Sequence, residues 1–175
     1  YHNLGCTLEN NGRVKLLNGQ EMNERGLFLK GIELNPNNAD TYRALGNALG
    51  KEESIQLPGN IKMTKKELYL KAIELNPKDA NAYRKLADTL TSNEQIKLPN
   101  GQEMTPRDLY LKAIDIDPKM ADAYLNLGCV LESKGKIKLL NGQELTKRDL
   151  FLKALDLDPK IANAYFNLAW TLNSD

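Results

Sequence analysis

Few residues in this chain have the type and spacing to do chemistry. His2 is the only histidine, so neither a histidine-based catalytic triad nor a histidine metal cluster can be assembled, and it reads as a surface residue. The pairs Asp115/Asp117 and Asp156/Asp158 have an Asp-x-Asp spacing that could hold a divalent cation. Each sits where a helical pattern ends before a proline, at Pro118 and Pro159, and there capping or solvent exposure is the simpler role. Gly50-Lys51 and Gly135-Lys136 lack the glycine spacing of a phosphate-binding loop. No catalytic group, cofactor or metal site is expected, and the chain reads as a non-enzyme.

The elements that would position any site are set by a repeat. The stretch LYLKAIELNP ending at Pro77 returns as LYLKAIDIDP ending at Pro118, FLKALDLDP ending at Pro159 and FLKGIELNP ending at Pro36, with 41 residues between successive prolines. A fixed period of this size marks an array in which each unit buries its apolar face on its neighbours. The 175 residues therefore read as one array: a partial repeat over 1–36, repeats over 37–77, 78–118 and 119–159, and a terminal helix over 160–175. Cys6 and Cys129 lie 123 residues apart, three periods, so they occupy equivalent positions in units that do not touch. A disulfide needs Cα atoms within about 7 Å, so both are expected to be free thiols, which suits a reducing compartment such as the cytoplasm.

Composition narrows the partners. Lys and Arg number 24 against 23 Asp and Glu, for a net charge of +1, which gives no general electrostatic footprint for nucleic acid. No apolar run approaches the roughly 20 residues of a membrane-spanning helix. The expected partner is protein or peptide, with neither nucleic acid nor membrane.

Within each repeat the first helix shows apolar residues at i, i+3, i+4 and i+7, as in Tyr42, Leu45, Gly46 and Leu49. The pattern recurs at Tyr1, Tyr83, Tyr124 and Tyr165, and predicts helices over 38–50, 79–91, 120–133 and 161–173 after a partial copy at the start. The tyrosines belong to the buried stripe. The small residue at Gly46, Ala87, Gly128 and Ala169 implies close approach of a neighbouring helix, since a mid-helix glycine costs up to ~1 kcal/mol against alanine. The second helix opens at Thr64-Lys65-Lys66-Glu67, a capping box, with Thr105 and Thr146 beginning equivalents that carry the shorter Asp. It stops before Asn-Pro or Asp-Pro, because proline disfavours helical geometry in the residue ahead of it. On its outer face, Glu67 and Lys71 are spaced to pair at i, i+4.

The run Ala39-Asp40-Thr41-Tyr42-Arg43-Ala44-Leu45-Gly46-Asn47-Ala48-Leu49, followed by Tyr69, Ala72 and Pro77, resembles the tetratricopeptide repeat, and the resemblance recurs along essentially the whole chain. It implies a mainly α, right-handed solenoid of antiparallel helix pairs, whose first helices line a concave face that holds an extended peptide or a partner helix. The family unit is about 34 residues. Here seven more fall between the two helices, as VKLLNGQEM, IQLPGNIKM, IKLPNGQEM and IKLLNGQEL. Each reads as a β-hairpin. A two-residue loop at Asn100-Gly101 would set Leu98 against Glu103, whereas a three-residue loop, Pro99-Asn100-Gly101, collects Ile96, Leu98 and Met104 on one face. The second register is expected, with Ile55 opposite Met63 and Leu57 opposite Ile61 in the preceding copy. Such short strands need support, and Leu29, Leu70, Leu111 and Leu152 on the second helices offer it.

The resemblance places the candidate peptide-binding residues beside the buried stripe of the first helices: Arg43, Asn47, Lys51, Arg84, Lys85, Asp88, Leu125, Asn126, Phe166 and Trp170. Also on this side are His2, Cys6, Glu9 and Asn10, then Asp40, Asn81, Thr91, Asp122, Cys129, Glu132, Asn163 and Asn173. Chaperone-binding members of the family hold a terminal carboxylate with Lys and Asn on three first helices. Arg43, Asn47 and Lys85 fall on three of those positions, while Asp122 and Asn126 stand where bases are required. The cluster of Arg43, Arg84 and Lys85 favours an acidic or carboxylate-bearing partner. Phe166 and Trp170, one turn apart, form a sticky end surface suited to end-to-end self-association or an apolar ligand. Two other function classes stay open: a structural self-assembly module joined through repeat ends or hairpin edges, and a docking segment of a larger enzyme.

Overall fold

A computed structural model describes residues 12–172. The copy of the first helix at Tyr1, with His2, Cys6, Glu9 and Asn10, and Asn173 at the other end, lie outside the described residues. Eight α-helices and four two-stranded antiparallel sheets alternate along the rest. They fall into two units, the first running to Pro77 and including Leu98–Asn100, the second made of Lys78–Lys97 and Gly101 onward.

The first unit opens with a hairpin, β1 (Arg13–Lys15) and β2 (Glu21–Asn23), followed by α1 (Glu24–Leu34) and α2 (Ala39–Ala48). A second hairpin, β3 (Ser54–Leu57) and β4 (Ile61–Thr64), leads into α3 (Lys65–Leu75). The second unit holds α4 (Ala80–Asp88), the strands β5 (Ile96–Lys97) and β6 (Glu103–Met104), then α5 (Pro106–Ile116) and α6 (Ala121–Val130). Strands β7 (Lys136–Lys138) and β8 (Glu144–Thr146), α7 (Lys147–Leu157) and α8 (Ala162–Thr171) complete it. The helices α2 and α6 end two and three residues short of the expected 50 and 133, because Leu49 and Leu131 already carry extended backbone while remaining buried.

The local signals behave as their chemistry requires. Thr64, Thr105 and Thr146 each cap a second helix through a complete box with Glu67, Asp108 and Asp149. Glu67 is therefore committed to the Thr64 amide at 2.7 Å and hydroxyl at 2.8 Å, and Lys71 pairs with Glu74 at 3.0 Å instead of with Glu67. The carboxylates of the Asp-x-Asp pairs are used locally. Asp115 and Asp156 meet Lys112 and Lys153, while Asp117 and Asp158 accept the backbone N–H of Lys119 and Lys160.

The hairpins take the three-residue loop. Val14 faces Met22, Ile55 faces Met63, Leu57 faces Ile61, Ile96 faces Met104 and Ile137 faces Leu145. Leu16 and Leu139 donate their N–H groups to Gln20 and Gln143, and Gly19 and Gly142 close the turns onto Leu16 and Leu139. Gly19, Gly101 and Gly142 hold the left-handed position with φ of 83°, 86° and 86°. The Pro58-Gly59-Asn60 loop solves the problem differently: φ is positive at both Gly59 (82°) and Asn60 (61°), the pattern of a type II turn followed by a left-handed residue. At the loop end of that hairpin, Ile61 is 53% exposed although the register puts it on the apolar face. In the second unit Leu139 and Leu140 share a cavity wall with Leu111 of α5, so this hairpin does lie beside the second-helix leucine. Leu152 is half exposed.

The core runs along the helix pairs. Tyr42, Tyr83 and Tyr124 are buried, and so are the second-helix aromatics Phe28, Tyr69, Tyr110 and Phe151. A Cβ added at Gly46 would lie 2.6 Å from Tyr69 Cε1, and one at Gly128 would lie 2.6 Å from Phe151 Cε1. Glycine is retained mid-helix because a ring of the next helix occupies the place of its side chain. Tyr165 departs from the pattern. It is 53% exposed and donates its hydroxyl to the Pro159 carbonyl at 3.1 Å.

Candidate binding face and cavity

In the first unit, α2 presents Arg43 and Asn47, with Lys51 exposed just beyond its end. Arg43 donates to Asp40 Oδ1 at 2.6 Å, one turn earlier on the same helix. Asn47 Oδ1 accepts the Tyr69 hydroxyl at 2.9 Å, which ties α2 to its own second helix.

In the second unit, hydrogen bonds link the first helices of successive repeats. Arg84 lies 3.3 Å from Asp88 on α4 and 3.7 Å from Asp122 on α6, with only 12% of its side chain exposed. Asp88 Oδ1 also accepts the Tyr110 hydroxyl at 2.8 Å and the Asn126 amide at 2.9 Å. Burial together with the adjoining Asp88 carboxylate pushes the Tyr110 phenol far above its ordinary pKa. One step on, the Asn167 amide of α8 donates to Cys129 Sγ at 3.3 Å. Cys129 is a free, exposed residue whose thiol is nonetheless desolvated, which raises its pKa against the pull of Lys147. Lys85 is half-buried on α4, and Leu125 is only 7% exposed, so Leu125 is packed within the protein rather than presented. In each unit a nearby carboxylate thus already engages the arginine expected to draw an acidic partner, Asp40 on Arg43 in the first and Asp88 with Asp122 on Arg84 in the second.

The end of the face carries Phe166 and Trp170, 64% and 63% exposed. Their rings meet edge to face with centroids 6.2 Å apart. Trp170 also borders a cavity of about 580 Å³ between the ends of α6 and α8 and the start of α7, with Phe151 and Cys129 on its walls. Lys134, Lys147 and Arg148 line it as well, and no acidic residue does among the described residues. Lys147 donates to the Leu131 carbonyl at 3.0 Å, and Arg148 donates to the Thr171 carbonyl at 2.7 Å. Lys65 and Arg25 make the equivalent contacts in the first unit, to Leu49 at 2.7 Å and to Ala48 at 2.7 Å. These bonds put cations on the negative C-terminal ends of the first helices. Periodic basic residues at 25 and 148, and at 65 and 147, were the available sequence signal for them, but their targets depend on which helix end lies within reach. Among the described residues no cluster of metal-ligating side chains is present, and no helix is long and apolar enough to cross a membrane.

Helix pairs of this kind, repeated with glycine-aromatic contacts inside each pair, define a helical repeat protein. The chain belongs to the tetratricopeptide repeat family, whose model matches residues 27–57, 68–105, 109–148 and 150–175. Among solved structures, a crystal structure of MamA is 21% identical with a TM-score of 0.57, covering 86% of this chain and 76% of that one. A second, of MamA protein, is 22% identical with a TM-score of 0.54, covering 86% and 70%. Both likenesses are of fold. No curated protein sequence matches the chain.

Proposed function

We propose that the chain is a non-catalytic protein-interaction scaffold that holds an extended peptide or a partner helix against the first helices of its repeats. Membership of the tetratricopeptide repeat family supports the scaffold role. The observation that carries the site is the exposed Phe166–Trp170 pair at the end of the polar ladder formed by Arg84, Asp88, Asn126 and Asn167. Exposed aromatics beside polar groups are the composition of interface hot spots. In the first unit the same role falls to Asn47 and Lys51. Since Arg43 and Arg84 are held by carboxylates, an acidic partner must compete with Asp40, Asp88 and Asp122, and its gain comes mainly through Lys51 and Lys85. The free thiol of Cys129 accords with a reducing compartment such as the cytoplasm.

Peptides selected from a random library on the immobilised chain provide the test. Selected sequences should carry a large apolar residue, and Phe166→Ser with Trp170→Ser should weaken them by tenfold or more, since two buried aromatics supply several kcal/mol. Undiminished binding to that double variant refutes the assignment. Self-association is a second reading, supported by the exposure of Tyr165, Phe166 and Trp170 on α8 and of Leu172, the residue that caps it. Sedimentation of the wild type and the double variant, showing identical monomers at high concentration, excludes it.

A further inference from the structure

We infer that the cavity between α6, α7 and α8 is a binding site for a small amphipathic carboxylate: one aliphatic or aromatic body with one anionic head. Its volume of about 580 Å³ falls within the range of small-molecule pockets. The walls divide by chemistry. The exposed Trp170 ring supplies apolar surface, with the buried Phe151 behind it, 1% exposed. Lys134, Lys147 and Arg148 also line it, and none of the lining residues among those described is acidic. This is a different balance from that of the first-helix face, where each arginine meets an aspartate. Lys147 spends one donor on Leu131, and an ammonium has three. Lys134 lines the cavity and is exposed, so its charge can reach an incoming anion without breaking a described contact. A carboxylate accepts charge-assisted bonds from such groups, and its apolar body displaces water from the exposed Trp170 ring.

The inference shares Trp170 and Asn167 with the peptide-binding reading, but its charge recognition rests on Lys134 and Lys147, which that reading does not use, so variants at those two lysines separate the two. Trp170 is the only tryptophan in the chain, so its fluorescence reports occupancy directly. Octanoate and 3-phenylpropionate are titrated beside their neutral amides and beside an Asp-Phe dipeptide amide, which separates a free acid from a protein carboxylate. The expected result is saturable change with Kd below about 1 mM for the free acids, at least about tenfold weaker binding of the amides, and slower alkylation of Cys129 when an acid is bound. Lys134→Gln, at an exposed position, and Lys147→Gln should each weaken the acids by about tenfold, the effect of one charge-assisted bond. Equal binding of acid and amide, no saturation by either acid, preference for the dipeptide alone, or acid affinity unchanged in both variants overturns the assignment.

Discussion

Replacing Gly128 by alanine tests how tightly the helix pairs are built. On an isolated helix the change should stabilise by up to ~1 kcal/mol, since glycine is the weaker helix former. In this protein the new methyl would lie 2.6 Å from Phe151 Cε1 and 3.0 Å from Cδ1, and Phe151 is 1% exposed, so this packed ring must shift to admit it. Overpacking of a closed core costs about 1–3 kcal/mol, so a net loss of about 1 kcal/mol is expected. The repeat containing Ala87 supplies the reverse experiment. There the methyl is accommodated and buried, and Ala87→Gly should lose about 1 kcal/mol of helix preference plus about 0.8 kcal/mol of buried methyl. The same position is thus expected to resist change in both directions. Because arrays of repeats unfold in parts, the assay is hydrogen exchange read separately on α6–α7 and α4–α5, beside urea unfolding followed by circular dichroism. Phe151→Leu should reduce the cost of Gly128→Ala, giving a measurable coupling. A stabilised Gly128→Ala protein, with slower exchange in α6 and α7, would show that the pair is looser than the geometry requires and would falsify this reasoning.

Three further outcomes follow from the same contacts. The phenol of Tyr110 is raised far above its usual pKa by burial and by Asp88. A raised folded pKa means stability present below the unfolded value near 10 and lost as pH climbs above it, so alkaline unfolding should be less steep in Tyr110→Phe. Asp149 and Glu67 are lowered by their capping bonds to Thr146 and Thr64. Their contribution is complete above the unfolded carboxylate range near 4 and declines as pH falls through the lower folded values. Thr146→Ala should cost about 1 kcal/mol at neutral pH and much less in acid, as measured by unfolding at the two pH values. Gly142 has φ of 86° with open space around it, so Gly142→Ala should strain the β7–β8 turn by about 1–2 kcal/mol, seen as faster exchange at Leu139 without change in α8.

The hairpins were readable from sequence to the level of cross-strand partners, because apolar alternation and a glycine three residues into the loop admit one register. Pro58-Gly59-Asn60 shows where that logic bends: with glycine one place earlier, Asn60 takes the left-handed position, and the register survives with a different turn. The second helices were legible because a threonine cap and an Asx-Pro stop bracket each of α3, α5 and α7. Their first-helix partners were overextended, since Leu49 and Leu131 continue the apolar spacing after the backbone has left the helix. The binding face was legible only as a collection of residues. Which carboxylate takes Arg84 depends on Asp122 arriving from the next repeat, and Asn47 is engaged by a tyrosine 22 positions later in sequence. The cavity had no sequence signal, because it arises where two helix ends and a helix start leave a gap.

The antiparallel register of the hairpins also fixes what the extra residues do to the chain's path. Ser54 and Thr64 are direct partners at the open end of β3 and β4, so the polypeptide leaves and returns through points about 5 Å apart. An excursion closed in this way lengthens the chain without moving the helices that flank it. Lengthening at a loop tip adds only the slow logarithmic cost of a larger loop. Leu17, Pro58, Pro99 and Leu140 are exposed, and each stands at the first place of its loop. These four tips are therefore sites where epitopes or reporter loops can be grafted at regular intervals along the sequence, leaving the helical frame unaltered.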